Sequence, residues 1–236
     1  MLCEARMAMD ARQAHAMLDA ARARPDLVAQ VVPSPFTLRV DRTVRGLIGA
    51  GYLGDLLAVE VRDVGPYLDR EAPLHWRHDA DLSGLNVMSL GIWYEAILRW
   101  VGEATRVMAM GKTYVRMRRD AQSGLLRTVR VPEHLDVIAD MACGAQAHLR
   151  LSSVTGLAGE REAWLFGSRG TLRFAGDRLY GGRRGESALA EVPAQPEEEG
   201  GWHVEEDWIA AILQRRMETP RHDCQFEARP RSSWPS

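Results

Sequence analysis

The sequence predicts an α+β fold, with a short α/β segment first and then an open, mostly antiparallel sheet with helices on one face. Three observations carry this. Two helix-strand units with a 3.6-residue apolar period open the chain. A long apolar helical stretch, Leu85 to Val101, follows them. A run of short strands with glycine turns comes next, and strands joined so tightly must pair antiparallel, since parallel neighbours need long crossovers.

Residues 10–24 read as an amphipathic helix capped by Asp10, with Ala14, Met17, Leu18 and Ala21 on one face and Pro25 as the stop. Leu27–Val32 reads as a strand, and Pro33 and Pro35 mark a crossing segment. A second helix is expected with Asp41 as its cap and Val44, Leu47 and Ile48 on its buried face, closed by Gly49 and Gly51. Leu56–Val61 is the next strand. Residues 62–84 are polar and proline-bearing, which predicts an irregular excursion. Leu90, Trp93, Ile97 and Trp100 form the stripe of the long helix.

The expected strand run is Arg106–Val115, Leu135–Ala142, Gln146–Val154, Ala163–Phe166, Thr171–Phe174 and Arg178–Tyr180. Glu197-Glu198-Glu199-Gly200-Gly201 reads as a solvated loop. His203–Arg216 reads as a last helix with Val204, Trp208, Ala211 and Ile212 buried. Residues 219–236 carry three prolines and three arginines without apolar periodicity, and predict a disordered tail.

Composition narrows the function. The 236 residues are 46% hydrophobic with a net charge of -2, a globular balance that argues against a nucleic-acid footprint. No apolar run approaches the roughly 20 residues of a bilayer span. Met1-Leu2-Cys3-Glu4-Ala5-Arg6 lacks the apolar core of a secretory signal, and three scattered cysteines do not make a disulfide framework; both predict a cytoplasmic protein. Lys112 is the only lysine, so lysine-based proton or Schiff-base chemistry would rest on it alone.

Several motifs read as structure. Gly49-Ala50-Gly51-Tyr52-Leu53-Gly54 matches G-x-G-x-x-G, but a helix precedes it and a strand follows, the inverse of a dinucleotide-binding turn. It is expected to end a helix. His75 and His78 are three apart without a third ligand at a matched spacing, so no metal site is expected. His222-Asp223-Cys224 falls in the tail, and Gly181-Gly182-Arg183-Arg184-Gly185 reads as a basic hairpin turn.

Four segments carry a resemblance to a known family. Met1–Leu18 (MLCEARMAMDARQAHAML) is similar to the segment where the Gfo/Idh/MocA oxidoreductases carry C-E-K-P before a helix. Leu47–Val61 (LIGAGYLGDLLAVEV) resembles their helix, turn and first sheet strand. Ser83–Gly102 (SGLNVMSLGIWYEAILRWVG) resembles the helix that holds D-x-G-x-H, and Leu165–Phe174 (LFGSRGTLRF) the later G-x-x-G-x-L hairpin.

The resemblance begins partway through the family's nucleotide domain. It implies a Rossmann remnant over 1–35 and a C-terminal α/β substrate and oligomerisation domain over 36–218, within a longer protein. It implies NAD or NADP as cofactor, a sugar, polyol or related alcohol or aldehyde as substrate, and a homo-oligomer built through the open sheet face. Glu4 and Arg6 would lie on the cofactor side, and Ser89, Trp93 and Tyr94 on the substrate side.

The family's catalytic lysine position is held by Ala5, its aspartate position by Ser89 and its histidine position by Trp93. Alanine carries no proton, and an indole N–H only donates. Tyr94 and Lys112 are the candidate substitutes. The resemblance therefore carries two expectations: an NAD(P)-dependent oxidoreductase lacking its usual proton-transfer groups, or a non-catalytic binding or assembly protein on the same domain.

Overall fold

The computed structural model describes residues 1–4, 6–87, 89–194 and 200–213. Ala5, the acidic triplet 197–199, residues 214–216 of the expected last helix and the expected tail, with His222, Asp223 and Cys224, lie outside the described residues. Two short parallel strands, β1 (Leu2–Cys3) and β2 (Gln30–Val31), flank helix α1 (Ala11–Arg22). The Asp10 carboxylate caps α1 by accepting from the Gln13 N–H at 2.8 Å. The predicted strand 27–32 shrinks to its two β1-paired residues.

Helix α2 (Asp41–Gly49) enters strand β3 (Leu56–Asp63) through the glycine turn. The sequence predicts Asp41 as the cap of α2, but it is the first helical residue, and its carboxylate instead binds Arg99 and Trp100. The excursion after β3 holds a 3-10 turn, Trp76–His78, and a one-turn helix, α3 (Ala80–Ser83). Helix α4 (Leu90–Val101) begins five residues later than predicted, because Gly84 takes a left-handed φ of 62° that ends α3.

Strands β4 (Ala104–Lys112), β7 (His134–Met141), β8 (Gln146–Ser152), β9 (Glu162–Gly167), β10 (Gly170–Ala175), β11 (Arg178–Arg183) and β12 (Ala190–Glu191) follow, with a separate hairpin of β5 (Met117–Arg119) and β6 (Leu126–Thr128). Helix α5 (Val204–Leu213) closes the described chain. The main sheet has eight strands in the order β12-β11-β10-β9-β3-β8-β7-β4. All its pairs are antiparallel except β3 with β8, where β3 inserts between two strands made much later in the chain.

Alternation divides the two faces of this sheet. Val59, Val61, Val137, Leu149, Leu151, Leu165, Leu172 and Phe174 form one core with Val44 of α2 and Trp93, Ile97 and Trp100 of α4. The opposite face is open. It carries Met108 and Met110 of edge strand β4 beside Ile138, then the stacked rings of Trp164 and Phe166, 5.5 Å apart. Met108 and Met110 are 74% and 77% exposed. No described helix is long and apolar enough to cross a membrane.

Candidate functional site

Helix α4 supplies the groups that the sequence singled out, and the sheet decides where they point. Trp93 is wholly buried, edge-on to Phe36 at 5.8 Å and to Phe174 at 6.2 Å. A buried indole N–H needs an acceptor. It finds Asp63, the last residue of β3, donating to Oδ2 at 2.9 Å. Ser89, the N-cap of α4, makes no cap hydrogen bond and donates its hydroxyl to the same Oδ2. Asp63 thus stands beside the N-terminus of α4, where the helix dipole favours an anion.

About two turns further along, a second network fixes the helix against the crossing segment. Trp100 donates to Asp41 at 2.7 Å, and the Arg99 guanidinium bridges Asp41 at 2.7 Å, Thr37 at 3.0 Å and Glu95. Glu95 also accepts from the Ser34 N–H at 2.8 Å. Burial raises the Glu95 pKa above the ordinary carboxylate range, only partly offset by Arg99.

The N-terminal segment reaches the same end of α4. Asn86 donates to the Ala8 carbonyl at 3.2 Å, and a Cβ at Gly84 would lie 2.1 Å from the Met9 carbonyl. Arg6, at a left-handed φ of 63°, lies 5.7 Å from the Trp76 ring; burial, then the like charge of Arg77, lowers its pKa. Arg6, Met9, Trp76, Ser83 and Asn86 line a cleft of about 200 Å³. A larger one, about 350 Å³, is lined by Asp79, Asp81, Arg127 and Arg130, whose charges already pair with one another.

Of the sequence candidates, Ser89 and Trp93 are brought together, through Asp63. Arg6 approaches the turn before α4 by way of Trp76 and the cleft. Glu4 is exposed just after β1. Tyr94 points elsewhere: its hydroxyl accepts the Ala104 N–H at 3.0 Å, at the start of β4. Lys112 is exposed at the far end of β4, opposite His134. Asp63 and Asn86 were missed. The signal for Asp63 was the alternation of β3, which places residue 63 on the buried face with Val59 and Val61.

A dinucleotide's pyrophosphate needs a helix N-terminus with bare N–H groups. Each described helix of eight or more residues instead has a carboxylate there: Asp10 on α1, Asp41 on α2, Asp63 beside α4, and Glu205, Glu206 and Asp207 on α5. The sequence 49–54 ends α2 and enters β3, with Gly51 and Gly54 at positive φ. The described residues therefore do not fit a pyrophosphate.

A family model described as the GFO/IDH/MocA C-terminal domain matches residues 42–173, more than half of the chain and the span from α2 to β10. The chain belongs to the Gfo/Idh/MocA family. Among solved structures, apo levoglucosan dehydrogenase superposes with a TM-score of 0.73 at 20% identity, covering 90% of this chain and 64% of that one. An oxidoreductase domain protein from Kribbella flavida gives 0.75 at 22% identity, covering 93% and 66%. A super-repressor mutant of Gal80p from Saccharomyces cerevisiae gives 0.64 at 18%, covering 81% and 52%. The chain thus spans about two thirds or less of the length of these proteins. A search of curated proteins finds no match. Levoglucosan dehydrogenase has also been solved in complex with NADH and L-sorbose.

Proposed function

We propose that this chain is the substrate-binding and assembly part of an NAD(P)-dependent oxidoreductase acting on a sugar, polyol or related alcohol or aldehyde. The observation that carries the reading is the convergence of Ser89 and Trp93 on Asp63 at the start of α4, within the span matched by the family's C-terminal domain. The levoglucosan dehydrogenase complex with NADH and L-sorbose supports the cofactor and substrate classes. Ser89 and the partly exposed carboxylate of Asp63 line the substrate side, Trp93 backs them from the core, and Glu4 and Arg6 lie toward the cofactor. Tyr94, bonded to the Ala104 N–H, and Lys112, at the far end of β4, lie apart from Asp63, so this reading assigns neither of them the family's proton-transfer role.

The second reading is a non-catalytic binding or assembly protein on the same domain. Trp93, fully buried at the family's histidine position, favours it. In both readings the open sheet face, with Met108, Met110, Ile138, Trp164 and Phe166, is the homo-oligomer interface. Met108 and Met110, 74% and 77% exposed, form with Ile138 an apolar patch at the β4 edge of that face, which favours burial against a partner.

Calorimetric titration of the purified chain with levoglucosan and L-sorbose, with and without NADH, tests the first reading. Saturable sugar binding at a Kd of about 1 mM or tighter is expected, with no NADH binding by this chain alone. No sugar binding under either condition defeats it and leaves the assembly reading. Met110→Asp is expected to lower the oligomer's mass by light scattering; an unchanged mass places the interface elsewhere.

A further inference from the structure

The geometry points to Asp63 as the hydroxyl-recognising residue of this site, its Oδ1 accepting a hydrogen bond from a polyhydroxylated ligand. The inference rests on the sugar or polyol reading above and names the atom that would do the recognising. Both recorded donors to Asp63, the Ser89 hydroxyl and the Trp93 indole N–H, go to Oδ2. Among the described residues no donor reaches Oδ1. A carboxylate oxygen offers about two lone-pair sites, so Oδ1 keeps its full accepting capacity.

Three features make this carboxylate a fixed acceptor rather than a solvated surface charge. It ends a sheet strand, its own backbone paired with Leu151 of β8 and the preceding Arg62 paired with Glu162 of β9. Two neutral donors on one oxygen set the plane of the carboxylate. The buried ring of Trp93, wedged between Phe36 and Phe174, cannot turn to release its bond. Such preorganisation lets a charged acceptor discriminate a hydroxyl from a hydrogen or methyl, because nothing else then pairs with it. Trp93 acts here as a positioning residue: it touches Asp63 and, being buried, does not reach a ligand itself.

Asp63→Asn separates recognition from support. The amide oxygen takes the place of Oδ2 and keeps the Ser89 and Trp93 bonds, while the NH2 replaces Oδ1 and turns an acceptor into a donor. The Trp93 indole 1H–15N resonance, assigned by its loss in Trp93→Phe, reports on the site directly. In the wild-type chain, titration with levoglucosan should move this resonance saturably. In Asp63→Asn the affinity should fall about tenfold or more with the indole resonance still dispersed and the melting temperature little changed. Asp140→Asn, on the open face, should bind as wild type does. If wild type and Asp63→Asn bind levoglucosan equally, Asp63 does not recognise the ligand although the sugar reading stands. If wild type binds neither levoglucosan nor L-sorbose, the sugar reading and this inference fall together. An Asp63→Asn chain that loses indole dispersion as well as binding would make Asp63 structural and overturn the assignment.

Discussion

Arg118→Met is expected to unlock the excursion that packs beside the site. Arg118 and Glu133 form an ion pair of 2.7 Å whose side chains are 4% and 2% exposed. The same guanidinium donates to the carbonyls of Asp69 at 3.0 Å and Ala72 at 2.9 Å, and Glu133 accepts the N–H groups of Tyr114 and Val115. One buried pair thus ties residues 69–72, the β5–β6 hairpin and the start of β7 together. Removing one partner of such a pair costs about 3–5 kcal/mol, because the other is left buried and uncompensated. At about 2–4 °C per kcal/mol for a chain of this size, the melting temperature should fall by about 6–20 °C.

The acid limb adds a signed test. Burial alone would raise the Glu133 pKa, but Arg118 and the two N–H groups outweigh it and hold it below its ordinary value. A depressed folded pKa contributes stability that is complete above the unfolded carboxylate value, about 4.3, and lost as pH falls through the folded one. In Arg118→Met burial is less opposed, the Glu133 pKa moves up, and this acid-side loss becomes smaller, so the variant's deficit against wild type narrows as pH falls below about 4.3. Calorimetric melts from pH 3 to 8 measure both effects, and Glu133→Gln in the Arg118→Met background should recover part of the loss. A change below about 1 kcal/mol with an unchanged pH profile would mean that the pair contributes no more than a solvent-exposed one.

Further expectations concern the site and its supports. Gly84→Ala places a Cβ 2.1 Å from the Met9 carbonyl at a φ of 62° and should cost about 3 kcal/mol and loosen residues 6–9 to proteolysis, whereas Gly51→Ala, with no atom within 4 Å, should cost about 1 kcal/mol. Trp93→Phe removes the indole donor to Asp63 while retaining most of the ring packing, and should cost about 1.5–3 kcal/mol by denaturant titration. Glu95 has a raised folded pKa, so its ionisation opposes folding as pH rises through and above the unfolded carboxylate value. Glu95→Gln should therefore gain in melting temperature relative to wild type between pH 4 and 7. Trp93→His should create no polyol turnover in a coupled nicotinamide assay, since residue 5 is alanine.

The parts of the fold legible in the sequence are those written in local periodicity. The stripe of α4, the strands β7 to β11 and the glycine turns between them follow from side-chain alternation and turn chemistry. The place of β3 in the sheet was not legible, because pairing β3 with β8 and β9 joins residues about 90 to 110 positions apart. The β5–β6 hairpin was hidden by its arginines, one of which is buried only because Glu133 meets it. Asp41 looked like a cap from its position alone, and the tertiary contacts to Arg99 and Trp100 decided otherwise. Asp63 was passed over because the apolar run of β3 stops at Val61; the strand continues two residues further and turns a carboxylate toward α4.

On the proposed function, this chain binds a polyhydroxylated small molecule where β3 ends and α4 begins. Amide 1H–15N spectra of the chain titrated with levoglucosan test it most directly. Saturable shifts confined to residues 63–65 and 83–93 and the Trp93 indole are expected. Shifts clustered on the open face around Met108, Ile138 and Trp164, or none at all, would contradict it.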